Sequence, residues 1–391
     1  TAVGNYSIKL RKKIGSDTVE EFWNGDEEKE KLKTEYFGVG DLEVSYNDKL
    51  LGYSLDLKGS EYYTIYIRNI TSGKLVTEKI EETSGSITFS LDDQYFFYSK
   101  LDEFHRPRKI FRHKIGSSVK DDELIFEEKS EAFTVGISLS SDEKYFFITT
   151  SDHNTSEQYY FEVTEKNPKP KLIIKRKKGV IYSVNSWGGY FYCHTNDGAE
   201  DFKIERCDDL SNQKWEIYIA AKEEVLIGGL IFLNDWIIRG EKSNALGKLF
   251  VRNKQTGIEE ELKFTDESVI VPSVSLIQRN KNTDSVYLSY SSPKTPGKTY
   301  LYNLKTREKR TLVSSLLTYF RTNASKSSLT TYIQKLARER DFVDGGDKVK
   351  TSKAMAVGAA LAGAYLGYKL GRGKTPSYAD KKFNFSNRGK K

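Results

Sequence analysis

The chain has 391 residues, 13% of them aromatic, with only two cysteines, and carries a formal net charge of +7. That length supports one large core, whereas two cysteines exclude a disulfide scaffold and, without suitable Cys/His spacing, a zinc site; a reducing, cytoplasmic setting is the expectation. The charge is uneven: residues 314–391 hold 16 Lys/Arg against 5 Asp/Glu, which leaves 46 against 50 before them.

Residues 1–34 read as an N-terminal lead-in segment. TAVGNYSIKLRKKIG has a basic cluster but no apolar run behind it, unlike a secretory signal. VEEFWNGDEEKEKLK is so highly charged that it reads as a solvated stretch in which Phe22 and Trp23 dock on the following domain.

From there the chain repeats itself. SYNDKLLGYSLD at Ser45, SLDDQYFFYSKLD at Ser90 and SSDEKYFFITTSD at Ser140 share a Ser, a tight Asx/Glu turn, an apolar strand and a closing Asp. Weaker copies follow at Asn185 (NSWGGYFYCHTND), Leu233 (LNDWIIRGEK) and Arg279 (RNKNTDSVYLSYSS). Between them lie hairpins of a second kind, at Tyr62, Lys248 and Thr299, turning at Thr-Ser-Gly or Gln-Thr-Gly. A period of about 40 to 50 residues with several short strands per copy predicts an all-β fold, a β-propeller. A four-stranded blade has two apolar faces and hides both only by stacking on its neighbours. The Ser and Asp side chains are expected to close their own turns on nearby N–H groups.

Several blocks go beyond a generic propeller. EYFGVGDLEVSYNDKLLGYSLDLKGSEYYTI at Glu35, FFYSKLDEFHRPRKIFRHKIG at Phe96, SDHNTSEQYYFEV at Ser151, HTNDGAEDFKIERC at His194 and SYSSPKTPGKTYLYNLKTREKRTLV at Ser289 resemble, in order, the N-terminal propeller of the oligopeptidase B branch of the prolyl oligopeptidase family. The resemblance implies seven blades over residues 35–313 where six copies are visible. It also implies a serine peptidase that cuts short peptides after Lys or Arg, its nucleophile lying in an α/β-hydrolase domain that the propeller covers. The sequence departs there: it has no Gly-x-Ser-x-Gly elbow and no histidine after His194, so the family's Ser, Asp, His order is not completed. The chain alone is therefore expected not to hydrolyse peptides, and no catalytic, cofactor or metal residue is assigned. The expected partners are short basic peptides, provided a separate hydrolase chain joins the propeller.

Asp102, Glu103, Arg106 and Arg108 form a charged loop that a propeller would place at one mouth, a candidate peptide contact. His105 and His113 read as alternate residues of one strand, on the same face; His153 and His194 fall at hairpin ends, and hydrogen bonding is the expectation for all four. KPKLIIKRKKG at Lys169 lacks the aromatic platform of a nucleic-acid site and reads as a Lys-protected edge strand. Residues 314–391 read as a basic tail, with an amphipathic helix through Leu329, Ile333 and Leu336. Ala359, Gly363, Gly367 and Gly371, four apart, resemble a helix-packing glycine zipper. The uncharged run from Ala354 to Tyr368 is shorter than the roughly 17 to 25 residues that cross a bilayer, so association with a membrane through residues 354–371 is the alternative location. The rival functional reading is a propeller binding module tethered or oligomerised by that helix, or a remnant without activity.

Overall fold

A computed structural model describes residues 5–12, 18–263, 272–277, 279–291 and 297–314; the expected tail helices, with Ala359, Gly363, Gly367 and Gly371, lie outside the described residues. The chain divides into two compact bodies, Thr1–Glu223 and Glu224–Lys391. Antiparallel four-stranded meanders fill both. In the first body, blade 1 runs through Gly38–Val44, Leu50–Asp56, Tyr63–Asn69 and Ile80–Thr83, and blade 2 through Thr88–Phe89, Tyr95–Leu101, Pro107–Lys114 and Glu123–Glu127. Blade 3 takes Thr134–Leu139, Tyr145–Ser151, Ser156–Glu162 and Lys171–Leu172; blade 4 takes Tyr182–Trp187, Tyr190–Thr195, Lys203–Cys207 and Glu216–Ile219. The second body holds blade 5, beginning at Leu226–Phe232, and blade 6, ending at Lys309–Ser314.

Strand alternation decides which faces meet. In blade 1, Ile65, Ile67 and Ile80 point at blade 2 and pack on Ile87, Phe89 and Phe96. Phe97 and Ile110 of blade 2 turn the other way, onto Val135, Phe146 and Ile148 of blade 3. Phe147 of blade 3 joins Val184, Phe191 and Cys193 of blade 4. Each joint is thus a sheet-on-sheet core, and an aromatic in it removes on the order of 2–3 kcal/mol worth of apolar surface from water.

The lead-in segment is structured. Ile8–Lys12 and Val19–Asn24 pair as a two-stranded sheet, and Asn24 caps a helix, Gly25–Leu32, accepting the Glu27 N–H. Trp23, 1% exposed, docks as expected on Leu51, Tyr53 and Leu55, the side of blade 1 facing away from blade 2. Arg68 lies over both the Trp23 and Tyr53 rings and reaches Glu28 at 2.7 Å. The hairpin therefore occupies the position of a neighbouring blade. Thr83 pairs with Lys100 and joins blades 1 and 2 into one eight-stranded sheet; counted as separate blades, the six blades and the hairpin make seven units among the described residues, where the sequence displays six copies.

The repeated turn folds the same way three times. Ser45, Ser90 and Ser140 each place a hydroxyl against the carboxylate or amide oxygen of Asn47, Asp92 and Asp142, and accept the N–H of Leu50, Tyr95 and Tyr145. The fourth residue, Asp48, Asp93 or Glu143, has φ between 56° and 59°, the left-handed region that short Asx side chains tolerate best. Asp93 then staples blade 2 to blade 1 by accepting the N–H groups of Tyr46 and Asn47, both at 2.7 Å. Asn185 does the same for blades 4 and 3 through the Ser141 N–H at 2.8 Å.

Glu143 occupies the position of Asp93 but is one methylene longer, and among the described residues no such staple joins blade 3 to the Leu91 and Asp92 N–H groups. Glu143→Asp is expected to create it and to stabilise the first body by about 1 kcal/mol, the net worth of a hydrogen bond. Thermal melting checks this: an unchanged or lowered midpoint contradicts it.

Candidate functional site

The connections after the second strand of a blade and those entering the next blade emerge on one side of the sheets, and here they are tied together by charge. Asp102 organises the first loop. Its carboxylate accepts the N–H of Phe104 at 2.8 Å and of Arg106 at 3.0 Å, and the Arg106 Nε at 3.2 Å. Burial pushes its pKa up, but those N–H groups and the guanidinium outweigh it and leave the carboxyl below its ordinary value. Arg106 also donates to the Glu131 carbonyl at 2.7 Å, and Arg108 to the carbonyls of Glu128 and Lys129. Both arginines thus brace the chain entering blade 3. Glu103 and Phe104 form the outward tip, with Phe104 62% exposed beneath the Arg106 guanidinium.

His105 belongs to this tip, which corrects its expected place. It has φ 59° and its ring lies tilted against Tyr62, centroids 4.0 Å apart, outside the strand Pro107–Lys114, so it shares no face with His113. The turn wins over alternation because Asp102 captures the following N–H groups and closes the chain before the strand starts.

A second cluster lies where blade 2 leads into blade 3. The edge strand Lys171–Leu172 is exposed, as its lysines suggest, but Arg176 of the same basic run is half-buried. Its guanidinium meets Glu128 at 2.6 Å and Glu157 at 2.7 Å, donates to the Thr150 hydroxyl at 3.2 Å, and lies 4.1 Å from the centre of the Phe133 ring. The two carboxylate side chains are only 5% and 6% exposed. Burial pushes Glu128 up, while Arg176, the Ser130 N–H and Thr150 pull it further down, so its pKa ends below the usual value. Sequence reasoning missed this group. Its one available signal was an arginine followed within four residues by a glycine in a run otherwise made of lysines, and that is too weak to name two distant glutamates.

His113 carries the third arrangement. Its ring is fully buried, with Nδ1 2.6 Å from Asp122 and Nε2 2.6 Å from the Thr77 hydroxyl, while Tyr98 donates to the other Asp122 oxygen at 2.6 Å. The order hydroxyl, imidazole, carboxylate is that of an acyl-transfer triad. Here it joins blade 1 to blade 2, and the ring packs on Phe96 with no surface open to a substrate. His194 stacks on Phe202 at 4.5 Å, and His153 is exposed in its turn. Cys193 and Cys207 are buried free thiols rather than a cross-hairpin disulfide. Register sets Cys193 opposite Glu205 and Cys207 opposite Phe191, and burial pushes the thiols up to about 12 and about 11. Among the described residues no group of three His, Cys, Asp or Glu is placed to hold a metal ion, and no helix is long and apolar enough to cross a membrane.

Residues 5–315 match the domain described as "Prolyl oligopeptidase, N-terminal beta-propeller domain". The chain belongs to the prolyl oligopeptidase family. The match begins well before Glu35, in agreement with the hairpin packed on blade 1. Relatives include Protease 2 of Moraxella lacunata, 30% identical over 71% of this chain and 40% of that protein, and Dipeptidyl aminopeptidase BI of Pseudoxanthomonas mexicana, 30% identical over 71% and 38%. Among solved structures, oligopeptidase B from Trypanosoma brucei with covalently bound antipain superposes with a TM-score of 0.70 at 21% identity, covering 79% of this chain and 45% of that one. The chain thus spans less than half the length of these prolyl oligopeptidase relatives. What it shares with them is the propeller, as the oligopeptidase B resemblance of the sequence blocks implied.

Proposed function

We propose that this chain is the non-catalytic propeller portion of an oligopeptidase B-like serine peptidase and admits short basic peptides to a hydrolase domain that these 391 residues do not encode. The observation that carries this reading is the match itself: a propeller-domain match over residues 5–315, in a sequence without a Gly-x-Ser-x-Gly elbow. The relatives' names, a protease, a dipeptidyl aminopeptidase and prolyl endopeptidases, differ in what they say is cut, although one propeller serves them all. Residue choice then belongs to the hydrolase part, and the propeller's share is access.

The charged loop supports a finer statement. Arg106 and Arg108 spend their donors on backbone carbonyls and on the Asp102 carboxylate, so their part is to hold the Asp102 turn rigid, and Glu103 beside Phe104 is the contact offered to a passing basic peptide.

Mixing the chain with a purified oligopeptidase B hydrolase domain is expected to restore cleavage of an arginine-containing octapeptide while leaving a folded protein uncut. In that mixture Glu103→Ala is expected to raise KM for the basic peptide about two- to fivefold without changing kcat, as removal of an exposed charge pair does. Failure of the mixture to cleave any peptide, with both components folded, contradicts the reading.

A further inference from the structure

In a propeller the first strand of each blade lies at the inner edge of its sheet, around the central channel. An unpaired edge is a row of N–H and C=O groups that will take another strand unless something blocks it. In blade 4 the edge is blocked. Tyr182 exchanges two hydrogen bonds with the Ser156 hydroxyl, the Val184 N–H donates to Gln158, the Ser186 N–H donates to the Asn185 side chain, and the Ser186 carbonyl accepts from the Asp142 N–H. In blade 1 the Leu42 N–H is taken by Asp41.

Blade 3 differs. The turn bond from the Ser140 N–H to the Tyr145 carbonyl fixes which residues of Thr134–Leu139 exchange bonds with the neighbouring strand. Counting back two at a time, Ser138, Gly136 and Thr134 face that strand, and Leu139, Ile137 and Val135 turn their backbone groups to the open edge. The Ile137 carbonyl confirms the phase, since it accepts from Thr88 of blade 2 at 3.5 Å. Among the described residues no other protein group meets the remaining outward N–H and C=O groups of these three. The outer edge strands of blades 2, 3 and 4 are guarded by Glu123, Lys171 and Glu216, whereas TVGISL carries no charge and no proline. Thr134, Gly136 and Ser138 are exposed, and a Cβ on Gly136 would meet nothing within 4 Å.

We propose that the inner edge of Thr134–Leu139 is a docking edge for an extended peptide, which adds as a further strand and is held through its main chain. The proposal rests on the gating reading above and names how the substrate is held: uncharged, with small side chains beside it, the edge grips backbone and is indifferent to sequence, which suits a passage that must release what it binds.

The test is amide hydrogen exchange on the intact chain, titrated with an acetylated octapeptide containing one arginine, and with the same peptide N-methylated at alternate residues. At about ten times the dissociation constant, exchange at Val135, Ile137 and Leu139 is expected to slow about tenfold. The N-methylated peptide is expected to give no protection. No protection at these amides, or equal protection by the N-methylated peptide, overturns the proposal. The two readings fail separately: unchanged exchange with cleavage restored in the mixed assay removes the edge and keeps the gate, and protection without restored cleavage does the reverse.

Discussion

Arg176→Ala is expected to destabilise the first body by about 3 kcal/mol, the cost of leaving two nearly buried carboxylates without their cation. The substitution leaves Glu128 and Glu157 facing each other across an empty site, both nearly out of contact with water, over the Phe133 ring. Neither carboxylate can stay ionised cheaply there. Urea unfolding read by tryptophan fluorescence measures the loss. A drop below about 1 kcal/mol would mean that the cluster behaves as a surface pair. Glu128→Gln in the Arg176→Ala background is expected to recover part of the stability, because it removes one of the two stranded charges.

The pH dependence of that difference has a definite sign. In the parent chain the Glu128 pKa is held below its unfolded value, so the stability it contributes is present above the ordinary glutamate range and is lost as pH falls through the lowered folded value. In the variant Glu128, still enclosed but without its guanidinium partner, favours protonation, and the stability of that state is lost as pH rises. The gap between the two proteins is therefore widest near neutrality and narrows below about pH 4. A gap that widens on acidification would show that something other than these carboxylates sets it.

Repeat, turn and strand were legible because each is local. Ser45, Ser90 and Ser140 close turns with partners at most five residues away, and the apolar run that follows is a strand in every copy. Trp23 was legible as a docking residue because an aromatic pair in a highly charged stretch has nowhere else to go. What escaped the sequence is what joins blades. Arg176 lies 48 residues from Glu128, His113 36 from Thr77, and Arg112, next to His113, reaches the Lys166 carbonyl 54 residues on. Neighbouring positions on one strand face opposite sheets, so Arg112 serves the joint to blade 3 and His113 the joint to blade 1. Linear spacing does not say which loop each will find. His105 was misplaced for a related reason: alternation was extended backwards into residues that Asp102 had already bent into a turn.

His113→Ala is expected to cost about 3 kcal/mol, from a lost ring in the joint and from Asp122 and Thr77 left without their shared partner. Asp122 holds blade 2 together from both oxygens, one toward the imidazole and one toward the Tyr98 hydroxyl, so removing the ring leaves a buried carboxylate with a single donor. Burial and that carboxylate both push the Tyr98 pKa upward, which keeps the phenol protonated as the donor at all ordinary pH. Tyr98→Phe, which deletes one bond and keeps the ring, is expected to cost about 1–2 kcal/mol. The decisive measurement is the cycle between His113→Ala and Asp122→Ala. If the relay works as a unit, the double variant loses less than the sum of the two single losses, with a coupling of about 1–3 kcal/mol. Additive losses would reduce the relay to two independent contacts. Labelling of Thr77 by a serine-hydrolase probe would instead make its hydroxyl a nucleophile, a role that an imidazole closed on every side by Phe96, Asp122 and Thr77 has no surface to support.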